Sequence, residues 1–319
     1  MEDRMLIFLS LLYFSVGIGI FIWGIFTITS GLKSISKEKL SYFINHFANS
    51  LFKSITIGFI VTLILQSSSM VTVIAVTMAN ARLLTLKSAA GIIMGSNIGT
   101  TIAVQLYAFN LFKLAPFLVF IGSLLHFQNW HSKLKLLGDV SLGFGLVFYG
   151  LKIMELATAP FKNSGVNLTN SNLSNPLIGI FIGVVSALIL QSSNIGIATL
   201  QVLVTSHILS LEQALPIIYG LNIGTCSEAF ILSFASSREG KKIALFNIFL
   251  NLWGTLVFLP FTNFFAELLR HTSPSNPLRQ VANAHTFFNI FSAIAIIPFL
   301  KIIFNLLDKI VNISKRKKP

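Results

Sequence analysis

The chain has 319 residues, of which 54% are hydrophobic and 10% are charged, and its mean hydropathy is +0.80. These values exclude an ordinary soluble domain and are typical of a polytopic membrane protein. The formal net charge of +13 does not indicate nucleic-acid binding, because the basic residues stand at the ends of apolar segments and in a basic tail. They include Lys33, Lys37, Lys39, Arg238, Lys241, Lys242, Lys315, Arg316, Lys317 and Lys318. By the positive-inside rule we expect a multi-pass protein of the plasma (inner) membrane with a cytoplasmic C-terminus.

In chain order, the apolar segments predict a bundle of membrane-spanning helices. A span needs about 20 residues. Two longer segments, 50–79 and 177–206, contain polar runs, which predicts a broken helix or a re-entrant pair of half-helices in each. The other segments are interpreted as single spans at 5–29, 89–109, 114–127, 136–156, 214–235, 243–265 and 285–307.

A polar sequence in two parts occurs twice in this apolar chain. Gln-Ser-Ser stands at 66–68 and again at 191–193, and Asn-Ile-Gly-Thr stands at 97–100 and again at 222–225. The two copies are 125 residues apart, and the Gln-to-Asn spacing is 31 residues in both. Because both the residue types and their spacing are preserved, the chain is interpreted as an internal duplication. Polar groups inside membrane segments usually mark the path of a substrate or an ion.

The duplication predicts four regions along the chain. They are a first transmembrane repeat at 1–159, an inter-repeat loop at 160–176, a second repeat at 177–310 and a basic cytoplasmic tail at 311–319. The loop is poor in Lys and Arg and is therefore expected on the outside, opposite the tail. The predicted fold is an all-α polytopic membrane protein with two inverted-topology repeats, each with a broken or re-entrant helix that carries a Gln-Ser-Ser motif.

The chemistry of the repeated residues suits ion binding. Gln, Ser, Thr and Asn supply neutral oxygens and N–H donors, which fit a hard monovalent cation and a hydrogen-bonded oxyanion. A helix that begins after Ser-Ser has free N–H groups and partial positive charge, which favour an anion, and unwound carbonyls can hold Na⁺. No pair of nucleophile and base is evident, so an enzyme is not expected.

Ionisable residues in apolar segments have two interpretations each. Glu228 follows the second Asn-Ile-Gly-Thr, where the first copy has Ala103. It could ligate Na⁺ or carry a proton, or it could be a carboxylate at a helix end or one paired with a distant Lys. Lys152 and Glu155 are expected to neutralise one another across one helical turn. His126 and His285 lie near the ends of apolar segments. Interfacial or hydrogen-bonding roles are favoured for them over proton coupling.

These motifs, together with Ala-Asn-Ala-His-Thr-Phe-Phe-Asn at 282–289, resemble the type II sodium-dependent phosphate (Na/Pi) cotransporter family, including its bacterial members. The resemblance implies Na⁺-coupled symport of inorganic phosphate by alternating access. It implies no cofactor other than Na⁺ as the coupling ion. The expected partners are phosphate, Na⁺ and the lipid bilayer, with a homodimer as a further candidate. Many bacterial relatives carry a C-terminal PhoU-like domain, and this sequence stops after its basic tail, so a separate PhoU-like regulator is also a candidate.

The resemblance also implies site residues. Those expected at phosphate are Gln66, Ser67, Ser68, Ser69, Gln191, Ser192, Ser193 and Asn194. Those expected at Na⁺ are Gln66, Asn97, Thr100, Thr101, Gln191, Asn222, Thr225 and Glu228. Two positions depart from the repeat, because Asn194 replaces the third serine and Cys226 stands where the first copy has Thr101. The alternatives left open are a phosphate exporter, a carrier of another small anion, a polar-lined channel and a sensor without flux.

Overall fold

The computed structural model describes residues 2–32, 44, 48–109, 111–128, 131–163 and 172–316. All regular structure in these ranges is helical, so the all-α polytopic prediction is confirmed. Within them, six helical segments are long and apolar enough to cross a membrane, namely Met5–Leu32, Leu86–Tyr107, Ser132–Phe161, Leu211–Phe234, Arg238–Thr272 and Pro277–Asn312. Lys33, Lys37, Lys39, Lys317, Lys318 and positions 164–171 of the predicted loop lie outside the described residues.

The helices are numbered here in chain order. They are α1 Glu2–Leu32, α2 Leu51–Leu65, α3 Ser68–Asn80, α4 Leu86–Tyr107, α5 Ala115–Phe127, α6 Ser132–Asn163, α7 Pro176–Leu190, α8 Ser193–Thr205, α9 Leu211–Gly224, α10 Ser227–Phe234, α11 Arg238–Phe258, α12 Thr262–Thr272, α13 Pro277–Ile296 and α14 Leu300–Arg316. Short 3-10 turns lie at Leu111–Leu114, Asn172–Ser174, Leu259–Phe261 and Ile297–Phe299.

The segment predicted as a span at 114–127 forms the short helix α5. The helix there, α5, has 13 residues, or about 20 Å at 1.5 Å per residue, which is short of the roughly 30 Å of a bilayer core. It is short because the 3-10 turn Leu111–Leu114 precedes it and Pro116 stands in its first turn. This helix packs antiparallel on α6 through Gly122, Gly138 and Gly145, each in contact with the partner helix.

The duplication is visible in the helix boundaries. The bounds of α2 and α3, each increased by 125, are the bounds of α7 and α8. The capping residue Ser50 corresponds in the same way to Asn175, and Thr85 at the start of α4 corresponds to Ser210 at the start of α9. All four cap their helices with a side-chain oxygen, as expected for Ser, Thr and Asn. The two copies therefore use the same local signals at the same positions.

Helices α2 and α4 run parallel and in close contact. Along α4, Gly91 faces the start of α2, Gly95 faces Ile55, and Gly99 faces Thr62 near the end of α2. The Ser88 hydroxyl at the start of α4 donates to the Ala48 carbonyl just before α2. Helices α2 and α4 start at the same end of the bundle, and α3 connects the end of α2 to the start of α4. Helices α2 and α3 therefore form a re-entrant hairpin, which enters and leaves the bundle at one end. Its tip lies at the break between Leu65 and Ser68.

The second copy repeats this hairpin. Helices α7 and α9 are parallel, since Gly179 contacts Pro216 near the start of α9 and Gly224 at its end contacts Ala187 near the end of α7. Helix α8 returns to the loop 206–210, from which α9 starts. At Gly224 a larger residue would place its Cβ 2.7 Å from the Val184 carbonyl oxygen of α7, so the close approach of the two helices requires glycine there.

The two ends of the bundle are named here by the residues at the hairpin bases. At the Asn80 end, Asn80 follows the first hairpin, and its side chain and carbonyl bind Ser237 just before α11. At the Ser206 end, Ser206 follows the second hairpin, and its hydroxyl is hydrogen-bonded at 2.5 Å to Thr158 near the end of α6. Helix α6 therefore runs towards the Ser206 end, and α1, which packs antiparallel on it through Gly17 and Gly24, runs towards the Asn80 end.

The last four helices form ion pairs at both ends of the bundle. Helices α11 and α13 each stop at a short turn that contains a Pro-Phe pair, and an amphipathic helix follows each turn. Arg270 of α12 forms an ion pair with Glu212 at the Ser206 end. Asp308 of α14 forms one with Lys242 at the Asn80 end. Buried apolar side chains in the described part of the chain form three clusters, around the first hairpin, around the second hairpin, and between α1, α4, α6 and α8.

Candidate functional site

Each Gln-Ser-Ser motif forms the tip of a hairpin. Gln66 ends α2 in the left-handed region (φ 53°, ψ 26°), and Ser67 caps α3, where its hydroxyl accepts the Met70 N–H at 3.2 Å. Gln191 repeats this conformation after α7 (φ 49°, ψ 24°), and Ser192 precedes α8. A residue other than glycine in this region costs about 1–3 kcal/mol and is concentrated at functional sites. Both tips therefore hold a strained glutamine at the same place.

The two tips line one cavity of about 480 Å³. Helices α1, α4 and α10 also line it, together with Thr225, which directly follows α9. All eight residues expected at phosphate line it, which are Gln66, Ser67, Ser68, Ser69, Gln191, Ser192, Ser193 and Asn194. From the set expected at Na⁺, the lining also includes Thr100, Thr225 and Glu228. The structure thus brings together two motifs that are 125 residues apart in sequence.

Three of the residues expected at Na⁺ do not line this cavity. Asn97 and Thr101 belong to α4, as Thr100 does, but neither is among the residues that line the cavity. Thr101 is buried and donates to the Ile98 carbonyl at 2.8 Å. Asn222, the counterpart of Asn97, is buried in a separate hydrogen-bond network. The four-letter motif alone did not reveal which of its residues face the cavity.

The cavity offers hydrogen-bond donors from two helix starts. The first residues of α3 and of α8 line it, and the backbone N–H groups of a first helical turn have no partner within the helix. The positive ends of two helix dipoles therefore meet at one place, which favours an anion. Ser96 of α4 holds the first hairpin in place there. Its hydroxyl accepts a hydrogen bond from the Thr62 hydroxyl at 2.9 Å and donates one to the Ser68 carbonyl at 3.3 Å.

Two buried polar atoms in the lining have no partner among the described residues. They are the Thr100 hydroxyl and the Asn194 side-chain oxygen, in residues that are 6% and 5% exposed. Buried polar groups in native proteins are nearly always hydrogen-bonded. Both residues line the cavity, so these two unpaired atoms lie in its wall.

Sequence analysis missed the wall that α1 contributes. Ile22, Ile25, Phe26 and Thr29 line the cavity from one face of this helix. Their spacing of three, four and seven residues is that of a single helical face and was readable in the sequence. What the sequence did not show is that this face meets the hairpin tips rather than lipid.

A buried polar network behind α9 was also missed as a unit. The Asn222 side-chain oxygen accepts hydrogen bonds from His285 at 3.3 Å and from Asn289 at 3.4 Å, and both partners belong to α13. His285 is completely buried, so the hydrogen-bonding role favoured for it is the one observed. Cys226 lies beside this network, where the Asn251 amide donates to its sulfur at 3.2 Å.

The remaining predicted pairs have plain structural roles. Lys152 and Glu155 form the expected ion pair, with 3.0 Å between Nζ and Oε2. His126 is paired with Asp139. In the cavity, by contrast, no Lys, Arg or His is found among the described lining residues, and Glu228 is the one ionisable side chain there. The site is therefore built from neutral groups and a single carboxylate.

An all-α bundle in which two re-entrant hairpins meet at a polar cavity is the architecture of secondary transporters with discontinuous helices. The family model described as Na⁺/Pi-cotransporter matches residues 20–156 and 160–269. The chain belongs to the Na⁺/Pi-cotransporter family. This confirms the resemblance drawn from the repeated motifs.

The matches between this chain and known relatives cover different shares of those proteins. The chain is 28% identical over 306 residues to "Uncharacterized protein YqeW" of Bacillus subtilis, covering 95% of this chain and 99% of that protein. It is 26% identical over 306 residues to "Putative inorganic phosphate export protein YjbB" of Salmonella typhimurium, covering 95% of this chain and 56% of that protein, so it spans about half of YjbB. It is 34% identical over 136 residues to human "Sodium-dependent phosphate transport protein 2B", covering 39% of this chain and 20% of that protein. No solved structure matches the chain.

Proposed function

We propose that this chain is a Na⁺-coupled symporter of inorganic phosphate that works by alternating access. The observation that carries the proposal is the meeting of both Gln-Ser-Ser tips at one cavity of about 480 Å³. The family supplies phosphate transport as the general activity. The coupling ion, the direction and the individual residues are our proposal.

Phosphate would be held between the two tips. Backbone N–H groups at the starts of α3 and α8 and the serine hydroxyls of both motifs donate hydrogen bonds to its oxygens. The amides of Gln66 and Gln191 reach the same space from the strained positions that end α2 and α7. A hydrogen bond to a charged group contributes roughly 1.5–3 kcal/mol, so each of these donors would matter for affinity.

Na⁺ would take neutral oxygens next to the phosphate. Thr100 of α4 and Thr225, which directly follows α9, line the cavity, and the glutamine carbonyls supply further oxygens. A hard cation prefers such ligands, and a bound Na⁺ would offset the charge of the anion in a site with few charges of its own. Asn97, Thr101 and Asn222 stand behind this layer, where they would hold α4 and α9 in register rather than contact the ions.

The charges at the two ends support inverted-topology repeats in a membrane. Twelve Lys and Arg residues occur at the Asn80 end of the described helices, at Lys53, Arg82, Lys87, Lys133, Lys135, Arg238, Lys241, Lys242, Lys301, Lys309, Lys315 and Arg316. Five occur at the Ser206 end, at Arg4, Lys113, Lys162, Arg270 and Arg279. By the positive-inside rule the Asn80 end would be cytoplasmic, and the two hairpins would enter the membrane from opposite sides.

The same orientation would make this an inward-facing state. The cavity is lined by the second half of α1, which runs towards the Asn80 end, and by Glu228 of α10, which follows α9 in that direction. The cavity would therefore be reached from the cytoplasm. Transport then requires a second state in which the same tips are reached from the Ser206 end.

The test is ³²P-phosphate uptake into proteoliposomes with an inward Na⁺ gradient, compared with a K⁺ gradient of the same size. Saturable uptake that requires Na⁺ supports the symporter. The double variant Gln66→Ala/Gln191→Ala is the control, and it should give folded protein without flux. Uptake that does not saturate and carries single-channel current would indicate a polar-lined channel, and binding without flux would indicate a sensor.

The second candidate function is phosphate export. It is favoured by the names of two relatives that match over 95% and 92% of this chain, each called "Putative inorganic phosphate export protein YjbB". Direction follows from the gradients and the coupling. Proteoliposomes loaded with ³²P-phosphate and exposed to an inward Na⁺ gradient would distinguish the two, because an exporter would release phosphate under the gradient that drives the symporter to take it up.

A further inference from the structure

Glu228 breaks the symmetry of the two copies at the cavity. It lies in the first turn of α10 and lines the cavity, whereas the corresponding residue of the first copy is Ala103. Among the described residues, no Lys, Arg or His lies within ion-pair distance of its carboxylate. It is half-buried, so water screens its charge only in part.

A carboxylate next to an oxyanion requires something positive between them. Two like charges a few ångströms apart repel strongly in a partly buried site, where the effective dielectric constant is well below that of water. The described lining contains no basic side chain that could offset this repulsion. Two arrangements remain, because either a cation bridges the two groups or the anion itself carries a proton that it donates to the carboxylate.

The hydrogen-bond donors and acceptors of the site favour the second arrangement, in which the anion carries a proton. An ionised carboxylate can only accept hydrogen bonds. The serine hydroxyls and the N–H groups at the starts of α3 and α8 can satisfy oxygens of the anion that carry no proton. Only Glu228 offers a charged acceptor, which a hydroxyl group on the anion would satisfy and which a fully ionised anion would leave unpaired.

We propose that Glu228 is the specificity-determining residue of this cavity, and that it accepts a hydrogen bond from a protonated oxygen of the transported anion. The cavity then takes phosphate and arsenate, which carry a proton at neutral pH, and rejects sulfate, which does not. This inference rests on the proposed phosphate site. It also gives the asymmetry between the repeats a function, since one acidic acceptor serves a site otherwise shared by two copies.

The experiment measures anion competition on the purified full chain. Bound ³²P-phosphate is displaced by arsenate or by sulfate at constant Na⁺, for the wild type and for Glu228→Gln. In the wild type, arsenate should compete and sulfate should not. In Glu228→Gln the amide can donate, so the ratio of sulfate to phosphate affinity should rise by about tenfold or more. Glu267→Gln, at an exposed carboxylate on α12, is the matched control and should keep the wild-type selectivity.

The outcomes separate this inference from the proposed function. If the wild type binds no phosphate, the phosphate site itself is wrong. If it binds phosphate but sulfate competes as well as arsenate, the role of Glu228 is wrong and the site stands. A Glu228→Gln variant with unchanged selectivity and a raised Na⁺ requirement would make Glu228 a Na⁺ ligand instead. Should this variant fail to fold, Glu228→Ala, which restores the residue of the first copy, and the wild-type competition decide the question.

Discussion

Gln66 and Gln191 have nearly the same left-handed backbone conformation, with φ values of 53° and 49° and ψ values of 26° and 24°. A second pair, Arg82 and His207, has φ values of 60° and 57° and follows α3 and α8 in the same way. Both pairs are separated by 125 residues. The duplication is therefore preserved at the level of single backbone torsions, including those that are costly for residues other than glycine.

Glycine and alanine at the two glutamines should separate the backbone from the side chain. Glutamine and alanine both carry a Cβ and have a similar backbone cost in the left-handed region, whereas glycine adopts it freely, so Gln66→Gly and Gln191→Gly should be about 1 kcal/mol more stable than the corresponding alanine variants. All four should lose most phosphate flux, because the amide is gone. Thermal unfolding in detergent and ³²P uptake measure the two effects. Near-normal flux in a glycine variant would remove that amide from the site.

Cysteine labelling should report the side from which the cavity is reached. Thr29→Cys and Ser69→Cys line the cavity and should react with a membrane-impermeant thiol reagent applied at the Asn80 end, and phosphate should slow the reaction. Asn263→Cys, at an exposed position in the first turn of α12 at the Ser206 end, should react only from the other side. The native chain is the blank, since its single cysteine, Cys226, is buried. Labelling of Thr29→Cys from the Ser206 end alone would contradict the inward-facing assignment.

Alanine at the helix-contact glycines should destabilise the hairpins. A methyl group on Gly58 would collide with the Ile92 carbonyl, and one on Gly183 with the Ile217 carbonyl. Overpacking of this kind costs about 1–3 kcal/mol. Gly19→Ala is the matched control, because nothing lies within 4 Å of its added methyl group, and it should be neutral or stabilising by up to about 1 kcal/mol. Equal unfolding temperatures for all three variants would refute the close packing.

Loss of His285 should weaken the contact between α9 and α13. His285→Ala leaves a cavity in a completely buried place and removes a partner of Asn222, so we expect a loss of about 2–4 kcal/mol. His285→Gln retains a donor and should lose less. Unfolding of the purified variants in detergent gives both values. If the two variants were equally stable, the hydrogen bond to Asn222 would contribute nothing.

Local signals in the sequence were sufficient for the helix breaks. A Gln-Ser-Ser run inside an apolar stretch combines a residue that tolerates the end of a helix with a serine that can cap the next one, and the structure has breaks at both places. The segment predicted at 114–127 forms α5 with nearly the same bounds, and the sequence did not show the 3-10 turn Leu111–Leu114 that precedes it.

Long-range contacts were beyond the sequence. The motif Asn-Ile-Gly-Thr predicts oxygens at four positions of a helix, but whether Asn97 or Thr100 faces the cavity depends on how α4 is rotated against its neighbours. The same holds for Thr29, whose face could have met lipid. The homodimer, the PhoU-like regulator and the Na⁺ ligands stay predictions, since they concern molecules that contact the chain from outside.

The glycine contacts between α2 and α4, and between α7 and α9, have a mechanical consequence. The backbones of these paired helices touch without an intervening layer of side chains. Carbonyl oxygens of one helix fill the space that a Cβ would take at glycines of the other, so the two helices cannot slide past one another. Each hairpin and its parallel companion should therefore move as one rigid body. The joints that open and close the path must then lie elsewhere, at surfaces lined by larger and adaptable side chains, such as the face of α1 that carries Ile22, Ile25 and Phe26.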